Sequence, residues 1–140
     1  MDSGTYFYFD HTADVGVEAR SPTLGGVFET AAGAVFDLLV DRRTVGLETE
    51  RGVSVRGADL EEVMVRWLSE LLYLHDAEGL LFCEFVVTGV SAARLDGIAR
   101  GEKYDPARHQ TKCEVKAVTY HEISVCEVGG QWRARIIVDV

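Results

Sequence analysis

What most limits how this chain can fold is a stretch of helical spacing with strand-like text on both sides of it. Leu60, Val63, Met64, Trp67, Leu68, Leu71 and Leu72 fall on one stripe of a helix, Asp59 stands where an N-cap is needed, and Glu62 follows at capping-box spacing. Gly79 closes that helix, since a residue without Cβ takes the left-handed turn after the last carbonyls at little steric cost. A second stripe, Leu24, Val27, Phe28, Ala31, Ala32, Val35, Leu38 and Leu39, comes after the start signal Ser21-Pro22. Gly25, Gly26 and Gly33 each weaken this first helix by up to about 1 kcal/mol relative to Ala.

Elsewhere the period falls to two. Between Thr5 and Arg20 lie the runs YFYF and VGVEA; in the second, Val15, Val17 and Ala19 alternate with Asp14, Gly16, Glu18 and Arg20, which places Asp14 on the polar side of its strand. Val45 to Arg56 reads as β, with a hairpin bend expected near Arg51 and Gly52. From Leu80 onward come LLFCEFVV, a shorter run from Ala93 to Arg100, then CEVKAVTYHEISVCEV, and WRARIIVDV after the Gly129-Gly130 turn. Two amphipathic helices must then cover one face of a mostly antiparallel sheet, an α+β two-layer domain spanning 1–140. The order of elements also permits two strand-helix-strand-strand units, one nested in the other.

Composition removes several function classes. The formal charge of −9 comes from 23 acidic against 14 basic residues, and no basic run is longer than Arg42-Arg43. Strong direct binding to nucleic acid is not expected, because that affinity comes mainly from basic side chains displacing counterions around phosphates. An acidic field instead suits approach to a basic protein surface. At 140 residues and 47% apolar content, a chain buries roughly two thirds of its unfolded surface, so no metal is needed merely to fold. Cys83, Cys113 and Cys126 form neither a disulfide framework nor a zinc ribbon and are expected to be reduced and mostly buried. No apolar stretch approaches the ~20 residues that cross a bilayer, and the N-terminus has no apolar signal region. No membrane partner and a cytoplasmic location are the expectation.

The last strand places Trp132, Ala134, Ile136, Val138 and Val140 on one face and Arg133, Arg135, Ile137 and Asp139 on the other, with its pattern running to the final residue. A strand patterned that far suggests a terminus that is held rather than frayed. Asp139 and the α-carboxylate of Val140 put several hard oxygens together, which suit Ca²⁺, Mg²⁺ or Mn²⁺. A second acidic group, Asp10-His11-Thr12-Ala13-Asp14, lies between two strands. Its aspartates serve either as turn residues bonded to their own backbone or as ligands, and Asp14 joins Asp139 only if the first and last strands are neighbours.

The fragments HTADVGVEA, VRWLSELLYL, GEKYD followed by His109, EVKAVTYHEI and RIIVDV, in this order and over nearly the whole chain, resemble the signature of the archease family. The resemblance implies a strand-helix-strand-strand module with a second one inserted. It also implies a divalent cation, commonly taken as calcium, on the aspartate of the HTAD motif, the penultimate aspartate and the oxygens of the last residue: Asp14, Asp139 and Val140 here. Its implied role is a metal-binding protein cofactor, not an enzyme. Such a protein helps an RtcB-type RNA ligase guanylylate its active-site histidine and turn over repeatedly, in tRNA splicing and RNA repair.

Four further residues are candidates for contact with a partner or nucleotide. Lys116 suits a phosphate or a protein partner, and His121 suits proton transfer, although a strand lysine is commonly a solvated charge and a lone histidine a hydrogen-bonded scaffold residue. Glu102 and His109 flank the Asp105-Pro106 turn, as a partner-facing loop or as a solvated one. The enzymatic alternative is a metal-dependent phosphoesterase that holds its cation on Asp10, Asp14 and Asp139.

Overall fold

A computed structural model describes residues 4–11 and 13–140. Its elements run β1 (Thr5–His11), β2 (Asp14–Ser21), α1 (Leu24–Leu39), a 3₁₀ turn (Arg42–Thr44), β3 (Thr49–Arg56), α2 (Leu60–Glu78), β4 (Leu80–Val90), β5 (Arg94–Lys103), β6 (Ala117–Val128) and β7 (Gln131–Asp139). The chain is α+β, but its strands form two antiparallel sheets rather than the single sheet expected: β1-β2-β7-β6 and β3-β5-β4. Alternation within a strand says which face is apolar and nothing about which strand lies beside it, so the division was not legible.

The division follows the nesting. In β2-α1-β6-β7 and in β3-α2-β4-β5 the third strand lies between the other two, giving the orders β2-β7-β6 and β3-β5-β4. The inner unit is therefore a second copy of the outer topology, inserted after α1. The helices are shared between the units: α1 packs on β2 and β4, and α2 on β6 and β3. Contact with both sheets explains why α1 is buried around most of its circumference, from Val27 and Phe28 to Ala34 and Phe36.

Local chemistry sets the boundaries. The Asp59 side chain accepts from the Glu62 amide at 2.8 Å, and Glu62 reaches back one residue past the cap to accept from the Ala58 amide at 2.7 Å. Gly79, at φ 69°, donates to the His75 carbonyl. Helix α1 is capped by Thr23, whose hydroxyl accepts from the Gly26 amide at 3.0 Å. Gly33 leaves room for Arg42 to lie across α1 and grip Asp37 with two bonds of 2.7 and 3.0 Å; a Cβ there would meet the guanidinium at 2.8 Å. Between the helices, the Trp67 indole donates to the Phe28 carbonyl at 3.0 Å, and Phe36, Phe82 and Phe85 pack edge-on or tilted beside it.

Two expectations need correction. No hairpin forms at Arg51-Gly52, since β3 runs unbroken from Thr49 to Arg56 along β5. The thiols are free but not mostly buried, as Cys83 and Cys126 are half-buried and Cys113 is exposed. Among the described residues, no helix is long and apolar enough to cross a membrane.

Candidate metal centre

The four-stranded sheet has an inner and an outer face. On the inner face the Tyr8 hydroxyl donates to the Ala34 carbonyl of α1 at 2.7 Å, and Ala134, Ile136 and Val138 are buried in the core. On the outer face Phe9 lies over Gly16, where a Cβ would collide with its ring at 2.2 Å, and the Arg135 guanidinium sits 4.2 Å from the Phe9 ring centroid. Arg20 and Arg135 both bond Glu18, which is 3% exposed. Burial alone would raise the Glu18 carboxyl, but the two guanidinium groups outweigh it and hold it below its ordinary range. The expected alternation therefore holds for direction, while the polar side of β2 is covered rather than solvated.

The acidic residues lie at one end of this outer face. Strands β2 and β7 are hydrogen-bonded neighbours, and their register pairs Val15 with Val138. Just beyond this last pair stand Asp14 on β2 and Asp139 on β7, which strand alternation assigns to the same face. Asp139 is opposite Ala117 of β6, and its carbonyl accepts from the Lys116 amide at 2.7 Å, which fastens the last turn of chain before Val140. On the other side, the β1-β2 hairpin pairs His11 with Asp14. The residue before Asp14, Ala13, has φ 60°, a left-handed conformation that turns the chain tightly here.

A bulge completes this end. The pairing of β6 with β7 jumps from Thr119–Ile137 to Ser124–Arg135, so residues 120–123 arch out of the ladder. The Thr119 hydroxyl braces the arch, donating to the Ile137 carbonyl at 3.2 Å and accepting from the His121 amide at 3.3 Å. Glu122, at φ 53°, turns its carboxylate back over the intervening strands to within 2.8 Å of His11 Nε2, although β1 and β6 are the outermost strands of the sheet. The His11 and His121 rings are edge-on, with centroids 5.2 Å apart.

The model of the Archease protein family matches residues 6–140. A curated archease of Pyrococcus furiosus is 41% identical over 137 residues, covering 95% of this chain and 96% of its own length. One from Methanosarcina mazei is 40% identical over 139 residues, covering 96% and 95% respectively. This chain belongs to the archease family. The solution structure of Methanobacterium thermoautotrophicum protein 1598 superposes with a TM-score of 0.84 at 37% identity, covering 96% of this chain and 98% of that one. The crystal structure of an archease, described as a possible chaperone, from Thermotoga maritima superposes with a TM-score of 0.66 at 17% identity, covering 94% of each chain, a likeness of fold alone.

For this archease-family chain, the structure brings Asp14, Asp139, Val140, Lys116 and His121 to one end of one sheet. It places Asp10 differently. Asp10 pairs with Val15 and His11 with Asp14, so the Asp10 side chain leaves the opposite face of the hairpin from Asp14. The phosphoesterase set Asp10, Asp14 and Asp139 is thereby split across two faces. Lys116 lies just before β6, outside the strand that carries His121.

Glu102 and His109 are a different matter. Expected on a loop that is either partner-facing or solvated, they are 5% and 4% exposed and bond each other at 2.8 Å. The Asp105 amide donates to His109 Nδ1, so the ring proton lies on Nε2 and points at Glu102. Glu102 also accepts from the Gly46 amide at 2.6 Å and pairs with Arg108. The Gly46 amide foremost, then the His109 ring and Arg108, hold its carboxyl down at about 2. These residues latch a loop. What the sequence reading missed is His11 and Glu122. His11 was within reach, because it precedes Asp14 in the HTAD run and pairs with it in the β1-β2 hairpin. Glu122 was not, because its position depends on the bulge.

Proposed function

We propose that this chain is a non-catalytic activator of an RtcB-type RNA ligase, carrying a divalent cation on Asp14, Asp139 and the oxygens of Val140. The observation that supports this reading is the β2-β7 register, whose last pair, Val15 with Val138, is followed at the sheet end by Asp14 on one strand and Asp139, next to the terminal residue, on the other. Two carboxylates with terminal oxygens are a hard donor set, fitted to Ca²⁺, Mg²⁺ or Mn²⁺. His11 Nδ1 also fits a positively charged occupant: it is buried without a hydrogen-bond partner and lies 3.9 Å from the Asp14 carboxylate, too far to neutralise it by a direct bond. When bound, the cation would supply local positive charge on an otherwise acidic surface. The chain's own groups do the positioning: the Lys116 amide fixes the Asp139 carbonyl, and the β1-β2 hairpin fixes Asp14. The exposed Lys116 side chain, at the same end, is a suitable contact for a phosphate or an acidic group of the partner.

A net charge of −9 supports a protein partner with a basic, RNA-holding face over direct RNA binding, and the description of the Thermotoga relative as a possible chaperone agrees with a helper's role. Mixing the purified chain with an RtcB-type ligase, GTP and a broken RNA tests the proposal. Formation of the histidine-guanylate and product beyond one turnover should both rise, and Asp14→Asn or Asp139→Asn should abolish the rise while leaving the thermal midpoint within a few degrees. No stimulation by the parent chain refutes the reading.

A further inference from the structure

We propose that His11, His121 and Glu122 form a second cation site, separate from the carboxylate pair, for a borderline transition metal of the Zn²⁺ class. Among the described residues these three side chains, each offering one ligand atom, have those atoms within 4.8 Å of one another. The Glu122 carboxylate oxygen is 2.8 Å from His11 Nε2 and 3.6 Å from His121 Nε2. Two ligands of a tetrahedral zinc ion, each at about 2.0–2.1 Å from the metal, are themselves roughly 3.3 Å apart. Two of the three separations thus lie near the edge of such a tetrahedron, and the third is within 4.8 Å. Two imidazoles and one carboxylate suit zinc or cobalt rather than calcium. Side-chain exposures of 63% for His121 and 61% for Glu122 leave a fourth position open to water or to a partner's ligand.

Two independent features point the same way. Glu122 is held in the left-handed region, a conformation that costs a residue with a Cβ about 1–2 kcal/mol and that clusters at ligand sites. The bulge that holds it there also aims its carboxylate at the two rings. The second feature is the proton on His11. If its Nε2 donates to Glu122, the buried Nδ1 is a bare lone pair facing the Asp14 carboxylate at 3.9 Å. A metal on Nε2 moves the proton to Nδ1, 3.9 Å from the Asp14 carboxylate, where the opposite charge favours it although the gap is too long for a direct hydrogen bond. His11 then stands between the two sites, with one nitrogen turned to each.

Binding of Co²⁺ and Zn²⁺ to the full chain tests this, by visible absorption for cobalt and calorimetry for zinc, independently of any ligase. One equivalent of each should bind. His121→Ala and Glu122→Gln, both exposed positions, should each weaken binding at least about tenfold with an unchanged thermal midpoint. Asp139→Asn should hold cobalt within about threefold, and excess Ca²⁺ should not displace it. The proposal is overturned if the parent chain binds neither ion, which would make the cluster an ion pair of histidines with Glu122. It is equally overturned if the two variants bind as the parent does, or if Asp139→Asn or excess Ca²⁺ removes the cobalt, since there would then be a single site.

Discussion

Replacing Glu102 by alanine separates a scaffold from a contact surface. The carboxylate accepts from the buried His109 ring at 2.8 Å and from the half-buried Gly46 amide at 2.6 Å, and it pairs with Arg108. Truncation leaves the His109 Nε2–H without an acceptor, at about 1–3 kcal/mol, and the Gly46 amide at about 1 kcal/mol. Arg108, half exposed, regains water and adds little. The expected loss is about 3 kcal/mol, or roughly 10 °C in midpoint for a domain near this size. Urea unfolding followed by fluorescence of the buried Trp67 reads it as a lower midpoint at unchanged slope. Glu102→Gln keeps one acceptor oxygen and should lose less. A midpoint shift worth under about 1 kcal/mol for the alanine variant refutes the latch. Ligase stimulation supplies a second check. Per folded molecule it should be unchanged, and a stable Glu102→Gln chain that no longer stimulates would return Glu102 to the partner surface.

The same carboxylate sets an acid limit. Its pKa is lowered from 4.5 to about 2, so its contribution is fully present above pH 4.5 and is lost as pH falls toward 2; urea midpoints measured across that window should drop for the parent and be flatter for Glu102→Gln. At Gly101, a Cβ would lie 1.8 Å from the Leu81 carbonyl, so Gly101→Ala must push β4 and β5 apart. We expect a loss of at least about 3 kcal/mol or failure to fold, seen in soluble yield and thermal midpoint, and a midpoint near the parent's would show that the strands give way cheaply.

Both helices were legible because their stripes, caps and the terminal glycine agreed, and the covered face of β7 followed from simple alternation. The partition into two sheets was not, since pairing is decided by non-local contacts such as Val15 with Val138 and Gly52 with Ile98. Asp14 and Asp139 were expected to join only if the first and last strands were neighbours, and it is the second strand, β2, that lies beside β7. Glu102 and His109 were misplaced for a different reason. A charged residue and an imidazole beside a Pro turn have the composition of a solvated loop, and only their mutual bond makes burial affordable. Glu122 marks the limit of pattern reading, because a bulge breaks the alternation by which its side chain would be placed.

The end of the sheet joins parts that differ in how freely they can change. Asp14 and Asp139 are held by the β2-β7 ladder, which rests on the inner side against α1 and on the outer side beneath Phe9, Arg135 and Glu18. Moving either carboxylate means moving the core strands. The arch of residues 120–123 is braced to that ladder through Thr119 and its ends and rests on the core through Ile123, so it is the exposed His121 and Glu122 side chains that can be altered without disturbing the register below. Rigid elements hold a site's geometry better than loops do, whereas loops tolerate substitution. The carboxylate pair therefore belongs to the fold itself, and the His121-Glu122 arch is an accessory laid over it. It follows that exchanging His121 and Glu122 together should remove the Co²⁺ absorption expected of the arch while leaving the thermal midpoint in place, and a lowered midpoint would show that these two side chains also hold the fold.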